Sequence, residues 1–389
     1  MGQGRKAAGT GRSKPAAAKA GAARAAPAAQ PTRADVAGWL KGYDPKDLTI
    51  ATAVSHSSLQ IFHGARLEGF RTLGIAAGDR DVRYYDAFPK AKPDRMLKLE
   101  RYSDLVGMAE ELRDENVVLV PHGSLVEYLG PDNYVTIGLP IYGNRAVLHW
   151  ESDRDLQREW LEAADIRMPR KVSDPSRIKD PVIVKYHGAK GGRGFFIAKT
   201  PADFQRHIKP GEPYTIQEFV LGTRYYLHYF HSPLSKEGYK VAGAGNGSLQ
   251  LLSIDRRDES NIDEMGRLGT HRDLEEIGIA PTFVVTGNIP MVIRESLLPE
   301  VFRMGEEVVK EAQARFGGLW GPFCLETVVT DKLEFRVFEI SARIVAGTNP
   351  FVGGSPYSEM VAPGLSTGRR IAQEIKLAAK TGRLGKILS

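Results

Sequence analysis

A strand-like run, Pro181-Val182-Ile183-Val184-Lys185, leads into Gly188-Ala189-Lys190-Gly191-Gly192-Arg193-Gly194-Phe195, and Phe196-Ile197-Ala198 then reads as a returning strand. Glycines let backbone N–H groups approach a polyanion closely. Lys185, Lys190 and Arg193 offer charge to phosphate oxygens. The combination predicts a β-hairpin that clamps a nucleoside triphosphate. The plainer reading is a surface hairpin with a solvated glycine loop. The segment is not a P-loop, because no Gly-Lys-Ser/Thr opens a helix. It is not a dinucleotide fingerprint either, because a strand follows where a helix would be needed.

A second constellation lies near the other end of the chain. Phe323 to Val329 and Phe335 to Ile340 read as adjacent strands, with Thr330-Asp331-Lys332-Leu333 as a tight turn. Such a hairpin could bring Glu326 and Glu339 onto one face, where the two carboxylates would repel unless a cation sat between them. Magnesium suits that arrangement, since it takes oxygen ligands and shares a few carboxylates with substrate phosphates. Manganese is the alternative ion. Ser341 and Arg343 follow Glu339 at alternating positions and could share its face. The competing reading is two solvent-facing glutamates on an edge hairpin. Their apolar surroundings in sequence speak against casual surface charge.

The third constellation sits at strand ends. Leu48 to Val54 reads as a buried strand that runs into Ser55-His56-Ser57-Ser58 and a helix. Val117 to Val120 reads as another, ending in Pro121-His122-Gly123-Ser124. Together with a strand at Thr72–Ala77 and a helix from Ser103 to about Glu115, this alternation predicts parallel α/β architecture. In such sheets ligands lie beyond the carboxyl ends of the strands. An ordinary serine cap explains one of the three serines around His56, not all three. His56 is therefore a candidate for orienting a substrate or accepting a proton. His122 and Ser124 are candidates of the same kind.

Further along, Asp153 to Ala164 and Glu300 to Phe316 read as helices, and residues near 170–220 form a unit bearing the glycine loop. The polar stretch Ile254–Asn261 follows an apolar segment and is either solvated or in contact with a nucleotide, and Met291–Ser296 is another polar cluster at a strand end. No Cys/His spacing suits zinc, and no Gly-x-Ser-x-Gly elbow supports a serine hydrolase.

The chain has 389 residues, enough for two or three structural units, with ordinary hydrophobic (42%) and charged (26%) content for a globular protein. No apolar run is long enough to span a bilayer, and no secretory hydrophobic region opens the sequence. The single Cys324 excludes an internal disulfide and fits a reducing cytoplasm. The net charge of +6 belongs to a tail. Residues 1–33 hold seven Lys and Arg and no acid, and without them the body stands at about −1. Ala-, Gly- and Pro-rich composition predicts that this tail is disordered. Nucleic acid is not expected as a partner beyond weak attraction to those charges.

These motifs resemble the ATP-grasp enzymes, which hold ATP between two subdomains. The likeness rests on the strand lysine before a glycine loop, on Gln217-Glu218-Phe219-Val220, and on Glu326 with Glu339-Ile340-Ser341-Ala342-Arg343. Many members have Glu-x-Asn-x-Arg where this chain carries Ser341. The likeness sharpens with Val54-Ser55-His56-Ser57-Ser58-Leu59-Gln60-Ile61, Pro121-His122-Gly123-Ser124, Ile254-Asp255-Arg256-Arg257 and Arg294-Glu295-Ser296-Leu297-Leu298. From about Leu48 to the C-terminus the chain resembles the archaeal formate-dependent 5-formaminoimidazole-4-carboxamide ribonucleotide synthetases, the PurP family.

The resemblance implies an ATP-grasp fold of α/β class, with an N-terminal parallel α/β domain over residues 34–150 and an ATP-grasp region over 151–389 that includes a mobile lid. It implies formylation of 5-aminoimidazole-4-carboxamide ribonucleotide (AICAR) with ATP and formate, through formyl phosphate, in purine synthesis. His56, Ser124 and Asn288 would meet the ribonucleotide. Lys185, Lys190, Gly191, Gly192, Arg193 and Gly194 would hold ATP phosphates, Glu218 would lie near adenine, and Glu259 would touch the nucleotide. Glu326 and Glu339 would bind magnesium. A homo-oligomer is expected. The alternatives are a carboxylate–amine ligase with another substrate and a nucleotide-binding regulator.

Overall fold

Four strands form a parallel sheet: β1 (Thr49–Ala53), β2 (Arg71–Ala77), β3 (Arg95–Leu99) and β4 (Val117–Leu119), in the order β3-β2-β1-β4. This is a computed structural model, and it describes residues 30–55, 57–186, 194–243, 247–260, 262, 263, 266, 282, 284–345 and 355–389. Every residue of β1 is buried, as expected of a central parallel strand covered on both faces. The expected strands at β1, β2 and β4 are present. β3 is not legible in the sequence, because Arg-Met-Leu-Lys-Leu carries charges on an edge strand and makes no apolar run. The helix expected from Ser103 is a 3-10 stretch, Tyr102–Met108, followed by a short α-helix, Ala109–Asp114.

The strand order fixes where a ligand can enter. The connection from β1 leads outward to β2 and β3, and the chain then returns to the other side of β1 as β4. The order therefore reverses between β1 and β4, and the crevice beyond their carboxyl ends is the topological switch point of the sheet.

The expected hairpin is the core of a small antiparallel sheet, β6-β5-β7, built from β5 (Val182–Tyr186), β6 (Phe195–Ala198) and β7 (Tyr214–Glu218). It packs its own apolar cluster of Val172, Ile178, Val182, Val184, Ala198, Phe204 and Ile216. From β7 the chain passes into a large antiparallel sheet, β11-β10-β8-β12-β13, with β9 on β10. Its strands are β8 (Thr223–Ser232), β9 (Tyr239–Lys240), β10 (Ser248–Glu259), β11 (Val285–Pro290), β12 (Gly321–Val329) and β13 (Phe335–Ser341).

Alternation divides this sheet into two faces. Leu227, Tyr229, Ile254, Phe323, Leu325 and Ile340 pack with the helix Leu298–Phe316 (Val301, Met304, Val308) and with Trp160 of the helix Arg154–Ala163. The two helices stand where the sequence placed them. The opposite face carries Arg224, Tyr226 and His228 of β8 and Cys324 and Glu326 of β12. Beyond them, Phe230 of β8 joins the core shared with Ile50, Val118 and Ile371.

The first described helix opens at Arg33, with a reciprocal cap between Thr32 and Asp35. Thr32 and Arg33, expected to belong to the tail, thus cap and open a helix. No helix among the described residues is long and apolar enough to cross a membrane.

The helix Ser58–Leu67 carries the β1 strand end and is fixed by a close crossing with the helix Thr367–Lys380. A Cβ on Gly368 would lie 2.3 Å from the Gln60 carbonyl oxygen, and one on Gly64 would lie 2.3 Å from the Arg369 nitrogen. Both obstacles are backbone, so neither can swing away. Gly368→Ala is expected to destabilise by about 3 kcal/mol. Helix propensity alone predicts a gain of about 1 kcal/mol, and the clash outweighs it. Urea unfolding decides the sign.

Candidate active site

The turn expected at Thr330–Leu333 closes the β12–β13 hairpin, with Leu333 in the left-handed region and its N–H donating to the Thr330 carbonyl. In the resulting register Glu326 stands directly opposite Glu339. A bulge leaves Phe338 as the extra residue, since Thr327 already pairs with Val337. This break in the ladder lets Val337 enter the core while Glu339 pairs with Glu326 and Phe338 stays near the small sheet. Lys185 lies 5.9 Å above the Phe338 ring. Burial depresses the Lys185 ammonium, the nearby Arg154 adds to that effect, and Glu339 opposes it.

Glu326 is buried and Glu339 is exposed. Burial and the facing Glu339 charge push Glu326 up to about 7, against the pull of Arg257, Arg343 and Arg224. A divalent cation between the two would reverse that balance. Among the described residues no three His, Cys, Asp or Glu side chains gather as a metal site. Two facing carboxylates could hold a divalent cation only together with other oxygen donors such as phosphate and water. Ser341 is buried on β13, two residues beyond Glu339.

The raised carboxyl has a measurable consequence. An unfolded Glu ionises near 4.5, and Glu326 ionises near 7 in the fold. The contribution of this group to stability is therefore full below the unfolded value and is lost as pH rises through about 7. Chelator-treated protein is expected to melt at lower temperature at pH 8 than at pH 6, with magnesium reducing the difference. Thermal melts across that range check it.

Around the carboxylates stand three arginines. The Arg224 Nη1 lies 3.1 Å from a Glu259 oxygen, so the predicted nucleotide contact Glu259 is held by an ion pair at the end of β10. Arg343 pairs with buried Glu151 at 2.7 Å. The Arg257 guanidinium lies 3.5 Å above the Tyr226 ring, and its Nη2 stands 3.5 Å from a Glu326 oxygen. Asn288 of β11 lies opposite Arg257 in register. Glu218 ends β7 at the junction between the two antiparallel sheets, where its carboxylate accepts from the Arg170 N–H at 3.1 Å. Gly194, with φ of 76°, opens β6. Lys190, Gly191, Gly192 and Arg193 lie outside the described residues, as does His56.

The switch-point crevice is lined by the expected Ser55 and Ser124 and by Tyr128, Arg80 and Tyr85, which the sequence reading missed. Ser124 is buried near the start of the helix Gly123–Leu129, and Tyr128 follows one turn later on the same face. The Tyr128 hydroxyl lies 3.0 Å from the Ser55 Oγ. Arg80, just after β2, sits 4.8 Å over the Tyr128 ring and donates to the Val54 carbonyl at 2.7 Å. Burial would raise the Tyr128 phenol, but bonding with Ser55, Arg80 and Ser124 lowers it. Ser58 and Tyr85 share a 2.6 Å hydroxyl contact. Ser57 stands at the helix N-cap with a φ of 66° and makes no side-chain cap bond. The i, i+4 spacing of Ser124 and Tyr128 was the available signal. Arg80 could have been found from its place after a strand end.

The two regions meet directly. His122 bridges to Ile344, and the Gly123 N–H donates to the Ile344 carbonyl at 3.0 Å. The β4 strand end therefore lies beside the residue that follows Arg343, so the carboxylate hairpin and the crevice are neighbours in the fold. His122 itself is buried, with Nε2 3.0 Å from the Ala53 carbonyl oxygen, which suits a structural tie between β1 and β4.

Comparison with known proteins agrees with this architecture. Residues 50–172 match a family model described as a protein of unknown function (DUF1246), and residues 207–389 match a domain of unknown function (DUF1297). The chain is 61% identical over 350 residues to the 5-formaminoimidazole-4-carboxamide-1-(beta)-D-ribofuranosyl 5'-monophosphate synthetase of Methanococcoides burtonii, covering 90% of this chain and 97% of the relative. The IMP biosynthesis protein PurP from Thermococcus kodakaraensis superposes with a TM-score of 0.66 at 27% identity, over 87% of this chain and all of that one. N5-carboxyaminoimidazole ribonucleotide synthetase from Thermotoga maritima shares the fold alone, with a TM-score of 0.52 at 16% identity over 84% and 75% of the two chains. The fold is that of the ATP-grasp enzymes. With identity this high over nearly the whole relative, the chain belongs to the PurP family of 5-formaminoimidazole-4-carboxamide ribonucleotide synthetases.

Proposed function

We propose that this protein is an ATP-dependent C–N ligase that formylates the 5-amino group of AICAR with formate, releasing ADP and phosphate. The observation that carries the reading is that a carboxylate pair beside a lysine-bearing hairpin is joined to the switch-point crevice by the His122–Ile344 bridge. Family membership names the substrates that suit the two regions.

Formate resists attack because its carboxylate is electron-rich. Attack of a formate oxygen on the γ-phosphorus of ATP expels ADP and leaves formyl phosphate. The amine nitrogen then attacks the formyl carbon, the bond to phosphate breaks, and the nitrogen loses a proton. Lys185 and the glycine loop would hold the phosphates, and Glu218 and Glu259 would border the nucleotide. Glu326 and Glu339 would hold magnesium, whose bound charge stabilises the transferring phosphoryl group. Closure of the small sheet over the site would keep water from the labile acyl phosphate.

On the substrate side, Ser124, Tyr128 and Arg80 would position the ribonucleotide, with Asn288 at the other edge. The weakly nucleophilic amine gains most from such positioning. His56, next in sequence to Ser55, would orient the base or take the proton. The proposed setting is the cytoplasm, as a homo-oligomer. The test is ADP release in the presence of ATP and magnesium, which should require both formate and AICAR. ADP release with a different carboxylate or amine would instead identify another ligase. ATP binding without turnover would identify a regulator.

A further inference from the structure

None of the roles proposed for ATP, magnesium or the ribonucleotide falls to Arg257, and its surroundings demand one. Its side chain is only 10% exposed. Nε and Nη2 have no hydrogen-bond partner among the described residues. The nearest acceptor, Glu326, is 3.5 Å away, close enough for attraction but too far for a good hydrogen bond. A buried charged donor left unmatched is costly, so this arrangement calls for an acceptor that arrives from outside the chain. Its cross-strand neighbour Asn288 is in the same condition, with Nδ2 buried and unmatched.

The geometry of the unmatched edge is specific. Nε and Nη2 form one edge of the guanidinium, two parallel N–H groups spaced for the two oxygens of a carboxylate. Tyr226 covers the flat face of the same guanidinium. What fits is a small planar anion lying edge to edge with Arg257.

The position across the sheet selects which anion. Lys185 lies over Phe338 on β13, at one flank. Glu339 and Glu326 follow on β13 and β12, then Tyr226 on β8, Arg257 on β10 and Asn288 on β11. In the proposed function the triphosphate would approach from the lysine side, with the two carboxylates next. Arg257 therefore stands on the far side of the carboxylates from the lysine. In-line displacement at the γ-phosphorus requires the attacking oxygen to stand opposite the departing ADP. We propose that Arg257 is the formate-binding residue, holding the carboxylate through its Nε–Nη2 edge opposite the ADP-leaving side, with Asn288 between formate and the ribonucleotide. Along β13, β12, β8, β10 and β11 the site then runs from ATP to metal to formate to amine, in the order in which they react. This inference rests on the formate-dependent reading of the site.

The experiment is steady-state kinetics of the wild type, Arg257→Lys and Arg257→Met, varying formate and ATP separately. Arg257→Lys keeps the charge and loses the planar fork, so it also guards against misfolding of the methionine variant. Both are expected to raise the KM for formate at least about 100-fold, with the KM for ATP changed less than about threefold. A second readout is thermal stability in magnesium and ADP: formate should raise the wild-type melting temperature and leave Arg257→Lys unmoved. An unchanged formate KM, or a rise in the ATP KM alone, would assign Arg257 to a phosphate and overturn the inference, while formate-dependent turnover of the wild type left the broader reading intact. A wild type with no formate-dependent ADP release would overturn both.

Discussion

Glu339→Gln is expected to lower turnover by about 10³-fold and to leave the fold unchanged. Glu339 is exposed and faces buried Glu326 across the β12–β13 hairpin. Its neutralisation breaks no core contact, but it removes half of the carboxylate pair proposed to hold magnesium against the transferring phosphoryl group. Glu326→Gln should show the same loss with a gain in stability. It removes a buried carboxyl whose ionisation is held up to about 7, so the metal-free variant should melt above the wild type at pH 8. Losing function while gaining stability is hard to reconcile with a structural glutamate. The checks are magnesium-dependent ADP formation and melting of both variants in chelator. Near-normal magnesium-dependent turnover in a folded Glu339→Gln protein would remove the metal assignment.

Arg80→Ala is expected to raise the KM for AICAR about 100-fold and to leave the KM for ATP within about threefold of the wild type. Arg80 is half-buried, fixed by the Val54 carbonyl and the Tyr128 ring at the end of the parallel sheet. There its charge would meet the phosphate of the ribonucleotide. Tyr128→Phe should give a smaller effect in the same direction, because it removes only the hydroxyl beside Ser55. His56→Ala should likewise spare ATP and impair use of the ribonucleotide, on the strength of its position in sequence. Titrations of each variant with AICAR and ATP separate the two ends of the site. A fall in ATP affinity with unchanged AICAR affinity would mean that the crevice serves the other substrate.

Sequence alone determined the features that depend on neighbours along the chain. Alternation in Val182–Lys185, the tight turn at Thr330–Leu333 and the apolar run of β1 are local, and the structure contains each of them. So are the glycine loop and the tail's charge, which need only composition. The ordered motifs around Ser55, Ser124 and Glu339 also sufficed to place the chain in its family, because their order along the chain survives without any knowledge of distance.

Tertiary structure decided what depends on register and on long-range packing. The one-residue bulge at Phe338 sets Glu339 against Glu326, and a slip of one residue would have turned that side chain to the opposite face. Arg80 and Tyr128 are 48 positions apart in the sequence, and only the β3-β2-β1-β4 order brings them to one crevice. The unmatched edge of Arg257 is invisible in a string of letters. Whether a buried guanidinium is satisfied depends on strands β8, β11 and β12, which the fold places beside it.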